Sequence, residues 1–107
     1  CSSTTRGLWG GIYPGSFTAR IDFVTMATFG NASDFGDLSR TVFGAGGMSN
    51  SIRGVWAGGQ NPSNDPGMNI MDFVTIATTG NASDFGDLTA ARGYVKGCAD
   101  SHGGLGD

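Results

Sequence analysis

Charged side chains are scarce in this sequence, and the positive ones are the scarcer kind. Lysine and arginine together number 6, against 9 for aspartate and glutamate, so the formal net charge of the 107 residues is −3. The positive residues form no cluster, whereas nucleic-acid binding usually requires a basic face. No apolar run approaches the ~20 residues that span a bilayer. The sequence therefore predicts neither a nucleic-acid partner nor a membrane span.

Proline and histidine are also rare, with 3 prolines and 1 histidine. The single histidine, His102, follows Ser101 in a glycine-rich segment, and no acidic residue is placed to orient it. Adjacent side chains rarely form a working catalytic dyad. We therefore expect no catalysis through His102.

Glycine, by contrast, is abundant, with 20 residues. The glycines follow no strict three-residue period, so the chain is not collagen-like. Hydrophobic residues make up 38% of the sequence and lie in short, ordered runs, which disfavours disorder. Short apolar runs separated by glycine are typical of strands joined by tight turns. The sequence therefore predicts an all-β fold in one domain, residues 1–107.

One stretch of the sequence is present twice. Residues 22–38 and 72–88 are identical except for the pairs Met26/Ile76 and Phe29/Thr79. A period near 50 residues indicates an architecture of stacked repeats.

A second, shorter segment repeats ahead of each copy. It reads Arg-Gly-x-Trp, begins at Arg6 and again at Arg53, and ends in two glycines. Taking these arginines as starting points, we place repeat one at about 6–52 and repeat two at about 53–102. The ends of the chain are out of phase with both repeats.

Each repeat is expected to form four short antiparallel strands. The first contains the tryptophan, Trp9 or Trp56. The second and clearest covers 21–28 or 70–78, where valine, isoleucine, threonine and phenylalanine favour a pleated backbone. Its two faces are both largely apolar, so we expect it to be covered on both sides. The third piece is described below. The fourth strand is expected at 40–44 and, in the second repeat, at 92–97.

Between the second and fourth pieces lies a segment with the chemistry of a turn, at 30–36 and again at 80–86. Its glycines permit positive φ, and its asparagine and aspartate side chains bond to their own backbone. In both copies a phenylalanine stands in the middle of this turn, where we expect it to fill a gap between neighbouring units. Structural roles in the repeat core and turns are thus assigned to Trp9, Trp56, Phe23, Phe73, Phe35, Phe85, Gly36 and Gly86.

The two cysteines occupy matching positions in successive units. Cys1 lies five positions before Arg6, and Met48 lies five before Arg53; Cys98 begins a third such approach. Matching positions two units apart should exceed the ~7 Å between Cα atoms that a disulfide tolerates. We therefore expect two unpaired thiols.

Two units alone leave two apolar flanks uncovered, and repeat folds usually need about three units or more. We therefore expect either a segment of a longer propeller or several chains that complete a ring.

The repeat resembles a kelch-type β-propeller blade. Kelch blades carry a hydrophobic strand that ends in two glycines, as after Trp9 and Trp56. A strand that opens with an aromatic residue follows, as at Phe23 and Phe73, and then a leucine and an arginine. The usual kelch tryptophan before that leucine is missing, and Phe35 and Phe85 stand in its place. The resemblance implies a segment of a larger propeller.

A second resemblance concerns the whole repeated string. Ile-Asp-Phe-Val-Thr-x-Ala-Thr-x-Gly-Asn-Ala-Ser-Asp-Phe-Gly-Asp-Leu, preceded by Cys-Ser-Ser-x-x-Arg-Gly-x-x-Gly-Gly, is similar to repeat proteins of tailed phages, notably marine and cyanobacterial ones. The resemblance covers most of the chain. It implies a virion protein of a tail, fibre or surface appendage, located outside the cell.

Several short motifs have a structural explanation that competes with a chemical one. Asp34-Phe35-Gly36 spells a kinase magnesium motif, but no other kinase motif accompanies it. Asn31, Asp34 and Asp37 could offer oxygens to Ca²⁺, yet their spacing differs from an EF-hand loop and Asx turns explain them. A catalytic group is usually needed once, whereas these residues recur. We predict no catalytic residue, metal or cofactor.

The residues that do not repeat are better candidates for binding. Two loops, which follow the two diglycines, differ in length and content, and loops on one rim of a repeat scaffold often carry binding. Contact with a sugar or a protein is one reading; plain connection is the other. The candidates are Tyr13, Phe17, Asn61, Asn64 and Met68.

We therefore expect a non-enzymatic structural protein of a phage virion. Its partners would be other virion proteins or further copies of the same unit, with a host-surface glycan as a possible loop ligand. The alternative is a carbohydrate-binding propeller module outside any virus. A glycan-acting enzyme is a third class, which is disfavoured because no unique pair of carboxylates stands apart from the repeat.

Overall fold

A computed structural model describes residues 1–11, 16, 18–61, 63 and 67–99. Every named element in these residues is a β-strand, which confirms the all-β prediction. The strands are β1 Arg6–Gly10, β2 Arg20–Thr25, β3 Ser33–Asp37, β4 Gly46–Ser49, β5 Arg53–Ala57, β6 Met68–Thr75 and β7 Ser83–Arg92. The described residues contain no helix with the length and hydropathy to cross a membrane.

The strands form two antiparallel sheets. The first sheet has the order β1-β2-β3 and the second the order β4-β5-β6-β7. In both, each strand pairs with the strand that follows it in sequence, so each sheet is a meander. The sheets and the sequence repeats are out of step, because β4 precedes Arg53 in sequence but pairs with β5 of the second sheet.

Matching strands in the two sheets pair in the same register. Trp9 lies opposite Asp22, and Trp56 lies opposite Asp72. We call residues that hold the same place in the two repeats matching residues; they lie 47 positions apart in β1 and β5 and 50 apart in residues 22–38 and 72–88. The sequence identity of the repeats is thus reproduced in their hydrogen-bond pattern.

The second strand of each repeat is shorter than predicted. It ends at Thr25 and Thr75 rather than at 28 and 78. A tight turn follows, in which the Thr28 amide donates to the Thr25 carbonyl at 3.3 Å and the Thr78 amide to the Thr75 carbonyl at 3.1 Å.

The predicted turn at 30–36 is wrong in its second half, because Ser33–Asp37 is strand β3. The same holds for its copy within β7. The strand contains an irregularity: Ile21 pairs with Gly36 and Asp22 with Asp34, which leaves Phe35 as a bulge. Glycine and aspartate disfavour strands on average, but pairing with β2 overrides that preference.

The fourth predicted strand is also wrong. Residues 40–44 form no named strand and have one β-bridge, from Phe43 to Gln60, and β7 ends where the second copy was expected to begin. The outer strand of the second sheet is instead β4. Its match in the first sheet is reduced to one bridge, Ser2 to Gly7, which corresponds to the pair Ser49 and Gly54.

One hydrophobic core is shared by the two sheets. Its buried members from the first half of the chain are Leu8, Ile21, Phe35, Leu38 and Val42, and those from the second half are Trp56, Met68, Val74 and Ile76. The sheets meet closely, since a Cβ atom on Gly10 would lie 3.1 Å from the Trp56 ring.

Candidate functional site: the contact between the two sheets

The most buried charged group in the contact is Asp72 on β6. Its side chain is fully buried, and it pairs with the guanidinium of Arg40, which is only 7% exposed. The Ser39 hydroxyl donates to it at 2.7 Å and the Ser39 amide at 3.0 Å. A buried carboxylate is tolerated when its charge is paired and its lone pairs accept hydrogen bonds. Asp72 therefore fastens the segment after β3 to the second sheet.

Besides Asp72, Arg40 contacts backbone atoms of the second sheet. Its Nη2 donates to the carbonyls of Gly58 and Ile70, each at 2.9 Å. Burial lowers the pKa of Arg40, and the charge and hydrogen bond of Asp72 oppose that shift. Arg40 thus links one carboxylate and two backbone carbonyls of the second sheet.

A second contact joins the edge of β3 to the turn before β7. The amide of Gly80 donates to the carbonyl of Phe35 and that of Ala82 to the carbonyl of Asp37, both at 2.8 Å. In return, the Asp37 amide donates to the side-chain oxygen of Asn81 at 3.1 Å. Residues 80–82 therefore cover the backbone edge that β3 would otherwise expose.

Gly36 makes this close approach possible. Its φ is +151°, a backbone conformation that disfavours residues with a side chain, and a Cβ atom there would lie 2.2 Å from the Gly80 carbonyl oxygen. The repeated Asn and Gly thus serve the contact between sheets.

Arg6 forms the third contact. Its guanidinium stacks over the Phe23 ring, 4.7 Å from the centroid, and its Nη1 donates to the Ile76 carbonyl at 3.0 Å. Arg53 stacks in the same way over Phe73 at 5.0 Å. The arginine that opens each repeat is therefore a packing residue in both copies.

Matching residues differ sharply in exposure, because each sheet uses only one of its faces in the contact. Trp56 is 4% exposed and Trp9 56%; Ile76 is 1% exposed and Met26 53%. On the other side of the contact, Phe35 is 3% exposed and Phe85 50%. We name the open side of the first sheet the Trp9 face (Trp9, Asp22, Val24, Met26) and that of the second sheet the Phe85 face (Val55, Phe73, Phe85).

The predicted structural residues thus divide into two groups. Phe35 and Trp56 are buried in the shared core, and Phe23 packs against it, 5.8 Å from Phe35 in an edge-to-face arrangement. Phe85 and Trp9 lie on the open faces. The expectation that the second strand of each unit is covered on both faces is therefore wrong within the chain, because each sheet buries only the face that meets the other sheet.

The predicted binding residues are not brought together among the described residues. Tyr13, Phe17 and Asn64 lie outside the described residues, as does His102. Asn61 donates to the Thr41 carbonyl at 2.9 Å and accepts from the Ser63 amide at 2.9 Å. Met68, the first residue of β6, is 6% exposed and belongs to the core.

An open concavity lies beside the turn after β2, and a matching one beside the turn after β6. The sequence did not predict either of them. The first has a volume of about 170 Å³ and the second about 300 Å³. Hydroxyl and amide side chains line both, with Thr28 and Asn31 in the first and Thr78 and Asn81 in the second. They differ at one position, where Phe29 projects fully into solvent and its match is Thr79.

Groups of metal-binding type are dispersed. Within the described residues, no three of histidine, cysteine, aspartate and glutamate are placed together to hold a metal ion. Both cysteines are free thiols; Cys1 donates to the Met48 carbonyl at 3.3 Å, and Cys98 is exposed.

No protein-family model matches the chain, and no curated protein sequence matches it. The resemblances described from the sequence stay predictions.

Proposed function

We propose that the chain is a non-enzymatic structural protein made of stacked, kelch-like β-propeller blades. The observation that supports this most directly is the use of the repeated polar residues. Asp72, Asn81 and Arg6 bind backbone or side chains across the contact between sheets. A residue type that recurs in each unit and bonds to the neighbouring unit has the role expected of a scaffold.

The proposed setting is the virion of a tailed phage, in a tail, fibre or surface appendage. The support is the similarity of the repeated string to phage repeat proteins. Partners would be other virion proteins or further copies of the same unit.

Particle composition tests the virion role. Trypsin should release residues 21–40 as one peptide, because Arg20 and Arg40 bound it. In gradient-purified particles of a phage that encodes the sequence, we expect this peptide to co-sediment with the major capsid protein. Its recovery only in the particle-free lysate would contradict the proposal; a host cytosolic protein is the matched control for carry-over.

A second candidate function is glycan binding, which the concavity beside β2 favours. Phe29 is fully exposed there, and Thr28 and Asn31 line the same concavity with a hydroxyl and an amide. Sugar sites combine an aromatic surface with a few polar groups in this way. On a glycan array, binding that Phe29→Thr abolishes would favour this candidate, and no binding by the wild-type chain would remove it.

A further inference from the structure

We propose that separate copies of this chain associate head to tail, with the Phe85 face of one copy against the Trp9 face of the next. The inference rests on the proposed stacking of units and names the partner as a second copy. Within the chain one contact of this kind is complete, and the Trp9 face and the Phe85 face, which match its two sides, are left exposed.

The apolar residues of the two open faces match those of the internal contact. Within the chain, the first sheet contributes Leu8, Phe23 and Phe35 to the contact, and the Phe85 face offers Val55, Phe73 and Phe85. The second sheet contributes Trp56, Val74 and Ile76, and the Trp9 face offers Trp9, Val24 and Met26. Each open face therefore has the apolar character of the face that is buried within the chain.

The backbone at the edge of β7 also matches one side of the internal contact. Gly86 has a φ of +146°, close to that of Gly36, but a Cβ atom on Gly86 would meet only the Met71 methyl, at 3.7 Å. The space that the Gly80 carbonyl fills beside Gly36 is open beside Gly86. The amide of Gly30, the match of the Gly80 amide that donates to Phe35, donates to no carbonyl among the described residues. The turn at Gly30 can therefore donate hydrogen bonds, and the edge of β7 at Phe85 can accept them. Neither is used in this way within the described part of the chain.

Arg53 extends the comparison to a side chain. It holds the same position over Phe73 that Arg6 holds over Phe23. Arg6 donates to the carbonyl of Ile76, whose match is Met26 on the Trp9 face. In a head-to-tail pair, Arg53 of one copy is therefore placed to donate to the Met26 carbonyl of the next.

The copy-to-copy contact differs from the internal one in its ion pair. Ala90 stands 50 positions after Arg40, so the buried arginine has no match at that place. On the Trp9 face, Asp22 has a partner in its own strand, Arg20, whose Nε lies 2.6 Å from the carboxylate. Asp22 can thus be covered without an arginine from the neighbour.

A second difference is the residue after the tryptophan. Gly10, which lies under Trp56, is matched by Ala57, and a Cβ atom on Gly10 would lie 3.1 Å from the Trp56 ring. Ala57 is only 1% exposed within its own chain, so the Trp9 ring of a neighbour cannot pack on it as Trp56 packs on Gly10. The copy-to-copy contact should therefore be weaker than the internal one.

The two faces are different surfaces, so the contact is heterologous. Such contacts give closed rings when the rotation between copies closes and open filaments when it does not. A symmetric dimer, with like faces together, would use only one of the two faces. Blocking one face at a time distinguishes these cases.

The test uses two variants, Trp9→Glu and Phe85→Glu, each of which places a charge on one face. By sedimentation velocity, wild type should form larger species as its concentration rises. Each variant alone should remain a monomer, with its association weakened at least about tenfold by the loss of an aromatic anchor. An equimolar mixture should form a 1:1 dimer, because each variant keeps the face that the other lacks.

Phe29→Thr is the matched control. Among the described residues Phe29 is the most exposed large apolar one, yet its match Thr79 stays exposed beside the internal contact. The control should associate as wild type does, whereas general hydrophobic clustering would be reduced by it.

Two results would overturn the inference. One is a mixture that stays monomeric while each variant keeps the wild-type circular dichroism and urea midpoint. The other is a Phe85→Glu variant that dimerises alone, which means that like faces meet. Neither result changes the outcome of the particle-composition test, so failure here is distinguishable from failure of the proposed function.

Discussion

Asp22 and Asp72 hold the same place in the repeat but have different surroundings. Asp72 is fully buried with Arg40, and the side chain of Asp22 is 22% exposed with Arg20 beside it in solvent. Removing one partner of a buried ion pair leaves the other charge buried and unpaired, which is costly. Exposed pairs contribute little. The same substitution at the two aspartates therefore compares a buried with an exposed ion pair in almost the same local sequence.

We predict that Asp72→Ala lowers the free energy of unfolding by about 3–5 kcal/mol. Asp22→Ala should lower it by no more than about 1 kcal/mol. Urea denaturation of dilute protein measures both. Adding Arg40→Met to Asp72→Ala should restore part of the loss, because the unpaired buried charge is removed. Equal effects at the two aspartates would contradict the assignment of Asp72 to the contact.

Gly36 and Gly86 form a second matched pair of residues. Both have positive φ, at +151° and +146°, so alanine strains the backbone similarly at each. Only at Gly36 does a Cβ atom also collide with backbone, the Gly80 carbonyl oxygen at 2.2 Å. We predict that Gly36→Ala destabilises the chain by at least about 1 kcal/mol more than Gly86→Ala, within the range of overpacking effects. Identical thermal midpoints for the two variants would refute this.

At the scale of elements, the edge of β3 and the edge of β7 are in opposite states. Residues 80–82 hydrogen-bond to β3, whereas no described residue does the same for β7 at Phe85 and Asp87. An open strand edge is a template for pairing with another chain. The difference should be visible in amide exchange.

We predict that the amides of Gly80 and Ala82 exchange slowly in the monomer and those of Gly30 and Ala32 quickly. The first two donate across the contact, and among the described residues the second two donate to nothing. Hydrogen–deuterium exchange followed by NMR, on dilute Phe85→Glu protein, measures all four in one experiment. Equal protection of the two turns would show that residues 80–82 are not held by β3.

The elements were predictable from sequence where the side-chain pattern alone decides them. Val, Ile and Phe in β2 and β6 indicate strands, and both are present. Ser33–Asp37 was not predictable, because glycine and aspartate indicate a turn, while pairing on one edge and coverage on the other hold the segment extended. The bulge at Phe35 was not predictable for the same reason, because it too depends on how β3 pairs with β2.

At the scale of the whole molecule, the repeat predicted two similar units and the uncovered flanks. It did not predict which face of each unit is covered, because matching residues are identical in sequence. Trp9 and Trp56 carry the same local signal, and only the neighbour of each sheet separates them. The variable loops remain candidates for binding, although Met68 lies in the core.

The contrast between the two tryptophans also has an optical consequence. Trp56 is shielded by the shared core, and Trp9 meets water. A small quencher such as acrylamide should therefore reach one of the two indoles, and the emission of a folded monomer should be the sum of a blue and a red component. When a neighbour covers the first sheet, the red component should disappear. The chain thus contains a native fluorescent reporter for whether its first sheet is capped.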